Sequence, residues 1–194
     1  PWCFIGTRRL AAAVALVQAR QPAFCYETRW RPFFLNPDTP PEGEPYLPFL
    51  VNKFGSRARV EELFSHVRAA GAAYGLDYAF EKIRLRANTL RAHRLIFRAQ
   101  QQGKADAVVE RLFQAQFQRG EHVGDPEVLC QIAESSGLPA AETRAYLASD
   151  EDAPPVREDA RQLRSLGISM VPSFILPTGR MTAACGIFIG SSPV

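Results

Sequence analysis

The sequence contains no two cysteines separated by two residues and no Cys-x-x-His pair, so neither a complete dithiol nor a zinc loop is written in it. Lysine is scarce: Lys53, Lys82 and Lys104 stand against many arginines. Those arginines are interleaved with Glu and Asp, and the net charge is only +3. That pattern excludes a basic stripe for nucleic acid and fits a solvated helical surface. No run approaches the roughly 18 apolar residues that a membrane helix needs. The cysteines, Cys3, Cys25, Cys130 and Cys185, are too widely spread to describe a disulfide-stapled miniature domain. No internal repeat is present.

With 194 residues the chain can bury one sizeable core, or one core carrying an insertion. Residues 4–20 combine strong helix formers with apolar Leu10, Val14, Leu16 and Val17, which predicts an amphipathic helix ended by Gln21-Pro22. Residues 24–35, FCYETRWRPFFL, are aromatic and partly alternating and predict a strand. Pro32 makes that strand an edge or breaks it there. Five prolines between 36 and 48 predict an extended loop.

Helices are expected near 46–54, 57–74, 88–103, 104–119, 125–136, 139–148 and 154–166, with an extended connection over 76–85. Gly103, Gly120 and Gly137 act as stops, and Asp125-Pro126 as a start. VPSFIL, residues 171–176, reads as a short buried strand. PTGR is a turn, and Met181 to Ile189 a second strand forming a hairpin with the first. Strands at the two ends around a helical block imply an α/β core with an α-helical insertion. The expected core is residues 1–45 and 160–194, and the insertion 46–159.

Cys3 stands at the start of the first helix, where unpaired N–H groups and the helix dipole stabilise a thiolate. From composition alone the favoured reading is a structural thiol buried beside Trp2. Val171-Pro172, just before a strand, is by spacing an ordinary turn proline.

Four stretches taken in order are more specific: PWCFIGTRRL, RWRPFFLNPDTPPEG, ANTLRAHRL and LGISMVPSFIL. Together they resemble the FrnE-like branch of the DsbA family, thioredoxin-fold thiol–disulfide oxidoreductases. The family pattern runs C-P-W-C-[FY]-I-G-x-R-R, an N-P-D-x-P-x-E-G loop, a helix with A-N-T-x-x-A-H-R, and V-P before a strand. Nearly the whole chain is covered.

The resemblance implies a thioredoxin-like core interrupted by a large helical insertion. Cys3 matches the resolving cysteine of C-P-W-C, and Pro1 and Trp2 match the dipeptide that tunes it. Pro172 matches a cis-proline facing the dithiol, and the backbone of Val171 an edge that pairs with extended substrate. Asn88, Thr89 and His93 match the insertion helix, expected to face the cleft, although a lone histidine on a helix is more often packed than a proton shuttle. His66 and His122 read as surface or loop residues. Cys25 and Cys130 read as small buried hydrophobes, and Cys185 as a candidate third thiol.

The family's nucleophilic cysteine and its first core strand would precede Pro1, and a closing helix would follow where AACGIFIGSSPV stands. On this reading a strand from ahead of Pro1, or from a partner chain, completes the sheet, and these residues alone do not turn over. No cofactor and no metal is implied. The expected partners are protein or small-molecule thiols and disulfides, with glutathione and a second copy of the chain as further candidates. Neither nucleic acid nor membrane is expected, and the setting is cytoplasmic. Two other readings stay open. One is a glutathione-dependent enzyme like the 2-hydroxychromene-2-carboxylate isomerases and kappa-class transferases, with serine ahead of Pro1. The other is a non-catalytic peptide-binding module.

Overall fold

A computed structural model describes residues 1–175 and the strand 185–191, the latter by its backbone. The chain opens with α1 (Trp2–Arg20) and β1 (Tyr26–Pro32). The helical block follows: α2 (Tyr46–Phe54), α3 (Arg57–Ala72), α4 (Leu90–Gln101), α5 (Ala105–Gln114), α6 (Pro126–Ser135), α7 (Ala140–Ala148) and α8 (Ala153–Ser165). A two-stranded ribbon, β2 (Glu44–Pro45) with β3 (Leu85–Arg86), closes the base of the long loop. The chain returns to the core through β4 (Ser173–Ile175) and β5 (Cys185–Ser191).

Local chemistry explains most of these limits. Ser56 caps α3 by accepting the Arg59 N–H at 3.1 Å. Asp125 caps α6 by accepting the Glu127 N–H at 2.8 Å, with Pro126 at the first helical position. α5 does not stop at Gln114 but widens into a π-turn over Ala115–Arg119 before Gly120. The expected extended connection over 76–85 contains a 3₁₀ turn, Phe80–Lys82.

The main sheet has the order β1-β5-β4. β5 runs antiparallel to β4, as a hairpin requires, and parallel to β1 from Tyr26 opposite Cys185 to Pro32 opposite Ser191. Sequence reasoning gave the central place to a strand from outside the chain. Among the described residues that place belongs to β5, which pairs with both neighbours and so satisfies their backbone groups. The expected PTGR turn, the Cys185 thiol and the closing segment lie outside the described residues.

β1 is an edge strand, with Pro32 at its end. Its free side is covered by α4: Gln100 accepts the Trp30 backbone N–H at 2.6 Å and donates its amide to the Trp30 carbonyl at 3.4 Å. Trp30 Nε1–H also donates to Asp106 at 2.6 Å, and Arg31 pairs with Asp159 of α8. The expected amphipathic character of α1 holds only in part. Phe4, Ile5 and Val14 are buried, whereas Leu16 and Val17 are exposed.

The core is aromatic where α1 meets the helical block. Phe4 stacks on Phe113 at 5.2 Å, and Tyr46, Phe64, Phe80 and Tyr78 form a continuous stack. This contact fixes the first turn of α1 against the insertion.

Candidate active site

Cys3 is the second residue of α1 and is 1% exposed. The helix begins with Pro1, whose carbonyl accepts the Ile5 N–H at 3.2 Å. The same carbonyl accepts a second hydrogen bond, at 2.9 Å, from the buried Tyr78 hydroxyl. Burial pushes the Tyr78 phenol above its ordinary range, and negative charge on Cys3 pushes it the same way. Tyr78 and Cys3 are therefore electrostatically coupled at the first helical turn. Sequence reasoning missed Tyr78; the only signal was an aromatic residue in a segment read as a connection.

Trp2 is half-buried, and its ring lies 5.7 Å from that of His66, tilted by 55°. His66 is exposed, as expected for a surface histidine. Further along, Arg8 forms a bidentate pair with Glu110 of α5, one contact being 2.8 Å. This pair ties the second turn of α1 to the insertion.

The Val171–Pro172 peptide bond is cis. A Cβ on Gly6 would lie 3.0 Å from both Cβ and Cγ of Pro172. Any larger residue at position 6 would push the proline away from α1. Gly6 is thus the residue that lets the proline loop approach the helix carrying Cys3. It was read in the sequence only as part of a motif. Val171 is half-buried, and its backbone N–H and C=O make no backbone hydrogen bond among the described residues.

The structure therefore sets Pro172 against Gly6, one helical turn after Cys3. It does not bring His93, Asn88 or Thr89 to them. His93 is 3% exposed, packs edge-on against Phe34 at 5.1 Å and bonds to the Phe33 backbone. Burial lowers its pKa to about 4, only partly opposed by the Phe33 hydrogen bond. Its Nε2 has no partner among the described residues. Asn88 donates to the Thr39 carbonyl at 2.7 Å and accepts the Leu90 N–H at 3.1 Å, stapling the long loop to the start of α4.

The other cysteines divide. Cys130 is buried, and burial raises its thiol pKa, as expected for a small apolar side chain. Cys25 is exposed, against expectation. β1 starts one residue later, so Cys25 belongs to the approach to the strand and not to its buried face. His122, expected in a loop, is half-buried between Gly43 and Gly124. No group of three or more His, Cys, Asp or Glu among the described residues could hold a metal ion. No described helix is long and apolar enough to cross a membrane.

The sequence profile of the DSBA-like thioredoxin domain matches residues 1–193. The chain also superposes, with a TM-score of 0.77 and 32% identity, on the crystal structure of probable DsbA oxidoreductase SCO1869 from Streptomyces coelicolor; the match covers 90% of this chain and 74% of that one. Uncharacterized protein YwbO of Bacillus subtilis (strain 168) is 24% identical over 187 residues, 96% of this chain and 86% of that protein.

Proposed function

The chain belongs to the family of DSBA-like thioredoxin domains, with a thioredoxin-like core and a helical insertion, and on that premise we propose that it is a FrnE-type thiol–disulfide oxidoreductase in which Cys3 is the resolving thiol of a C-P-W-C pair. The observation that carries this reading is the close approach of Gly6 to cis-Pro172. It sets the proline loop against α1 one turn after Cys3.

On this reading the cysteine ahead of Pro1 attacks one sulfur of a substrate disulfide as a thiolate. A mixed disulfide forms, and one substrate thiolate leaves and takes a proton. Cys3 then loses its proton and attacks the sulfur of the first cysteine. The mixed S–S bond breaks, the protein disulfide forms, and the second substrate thiol is released. Two electrons pass from the protein dithiol to the substrate, and the reverse sequence oxidises a substrate dithiol. Burial of Cys3 suits this role, since its sulfur need meet only its neighbour on the same turn.

The N–H and C=O of Val171, which make no backbone hydrogen bond among the described residues, would pair with an extended segment on either side of the substrate disulfide. The helix start favours the thiolate form of both cysteines. Residues 1–45 and 160–194 supply this core, and 46–159 the insertion that packs Phe113 and Tyr78 against it. In a cytoplasmic setting the reducing poise leaves the direction of exchange to the pair's own potential.

The test is insulin reduction by the full-length protein with dithiothreitol as reductant. Cys3→Ser is expected to slow turnover sharply and, mixed with insulin without dithiothreitol, to trap a mixed disulfide visible by mass spectrometry. An unchanged rate in that variant rules out Cys3 as the resolving thiol.

A further inference from the structure

A cavity of about 320 Å3 opens between the loop after β1, the start of α4 and one face of α8. Cys3, Gly6, Val171 and Pro172 are not among its lining residues. Arg157, Arg161 and Arg164 line it from successive turns of α8, and Asn36, Asn88 and Thr89 from the opposite side. No acidic side chain is among its lining residues.

The three guanidinium groups sit at helical spacings of four and three, where like charges repel. Their existing partners do not neutralise them all. Arg164 is spent on the fold: it donates to the Phe34 carbonyl and stacks over the Phe33 ring at 4.7 Å. Arg161 meets Glu158 of its own helix at 2.6 Å. Arg157 has no hydrogen bond or ion pair among the described residues. Asp159, the other carboxylate on this stretch of α8, is committed to Arg31.

The far wall adds donors. Thr89 is the N-cap of α4 and is 9% exposed, yet its side chain makes no capping hydrogen bond. The first turn of α4 carries no acidic residue, and the neutral Asn88 amide is the acceptor at its Leu90 N–H, so no negative charge faces the positive end of the helix from that turn. Asn88, pinned to Thr39 and Leu90, holds this wall in place. Phe34 and Leu90 supply the apolar part of the lining.

We propose that this cavity binds a phosphate monoester, its dianion held by Arg157 and Arg161 with Thr89 as a further donor and its organic part resting on Phe34 and Leu90. Among the described residues Arg157 has no carboxylate partner and Arg164 bonds only a neutral carbonyl, so two positive charges remain to match a dianion, and guanidinium forks fit tetrahedral oxyanions in two-point contacts. The volume suits a small ligand with an organic portion.

Phenyl phosphate is the probe, titrated into the 15N-labelled protein, with benzyl alcohol as its neutral counterpart. The expected result is saturable shifts of the Asn36, Thr89 and Leu90 amides with phenyl phosphate and none with benzyl alcohol. The double variant Arg157→Gln/Arg161→Gln is expected to weaken binding at least about tenfold, which is roughly 1.4 kcal/mol. Its amide spectrum reports that it is folded, and Arg59→Gln, exposed elsewhere, leaves the affinity unchanged. The proposal is overturned by equal binding in the double variant, by equal shifts with benzyl alcohol, or by no saturable shift with phenyl phosphate. None of these readouts involves a thiol, so they stand or fall separately from disulfide exchange.

Discussion

The Tyr78 hydroxyl donates to the Pro1 carbonyl at 2.9 Å, joining the helical insertion to the first turn of α1 through one buried hydrogen bond. The ring is held from several sides. It stacks on Phe80 at 5.2 Å, and the Arg68 guanidinium donates to the Tyr78 carbonyl at 3.2 Å. Tyr78→Phe keeps the packing and removes the bond. The expected cost is about 1 kcal/mol, read as a lower urea midpoint. Cys3 should also be alkylated faster in the native state, because the turn that buries it is loosened. A fall in stability with no change in Cys3 alkylation would reduce Tyr78 to a packing residue.

Two glycines on helices make contrasting predictions. At Gly71 an added Cβ would lie 2.4 Å from the Tyr78 ring, which is already locked. Gly71→Ala should therefore cost about 1–3 kcal/mol in thermal or urea unfolding. At Gly6 the added Cβ meets Pro172 at 3.0 Å, and the proline loop can yield. Gly6→Ala should leave the unfolding midpoint nearly unchanged but slow insulin reduction by more than about tenfold, since small misplacements of reacting groups are costly. Equal loss of stability in both variants would show that Gly6 only packs.

His93 predicts a pH dependence. Its pKa is lowered to about 4 in the folded protein, mainly by burial, and is near 6.5 when unfolded. Between those values the unfolded chain holds a proton that the folded chain refuses. Stability is therefore complete above about pH 6.5 and falls as the pH drops towards 4, by about 3 kcal/mol over the window. Urea midpoints measured across that range check it. His93→Gln should remove most of the slope, and an unchanged slope would assign it to other groups.

The thiols should react unequally. Cys25 is exposed, whereas Cys3 and Cys130 are 1% and 3% exposed. Brief iodoacetamide treatment followed by peptide mass spectrometry should label Cys25 alone among these three. Cys130, whose pKa is raised by burial, should react only on unfolding.

The parts of the fold that were legible in the sequence are those set by local chemistry. Asp125-Pro126 starts α6 and Gln21 ends α1 because caps and proline geometry act over a few residues. Pairings between distant segments were not legible. β2 and β3 are two residues each, joined by Glu44 opposite Arg86, and no periodicity exists at that length. The roles of Gly6 and Gly71 were hidden for a related reason. A glycine inside a helix reads as a propensity penalty, and the neighbour that requires it comes from elsewhere in the chain. The roles proposed for Cys3 and Pro172 rest on resemblance to a family, because helix position and spacing leave both with ordinary alternatives. For His93 the motif suggested a cleft residue while its place on a helix suggested a packed one, and its contact with Phe34 fits the packed reading, since a motif does not state which way each side chain points.

Gln100 offers the sharpest test of how the edge of β1 is closed. Its side chain accepts the Trp30 N–H at 2.6 Å and faces the Trp30 carbonyl at 3.4 Å, as a neighbouring strand would. Trp30 is 6% exposed, so water cannot readily replace these bonds. Gln100→Leu removes both partners and should cost about 2–3 kcal/mol, the penalty for an unsatisfied buried peptide group. Gln100→Glu keeps the stronger bond, because a carboxylate still accepts the N–H, and loses only the long one. Its cost should therefore be clearly smaller at neutral pH. Equal destabilisation by the two variants would mean that Gln100 contributes through packing, and that the edge of β1 is protected by the bulk of α4 alone.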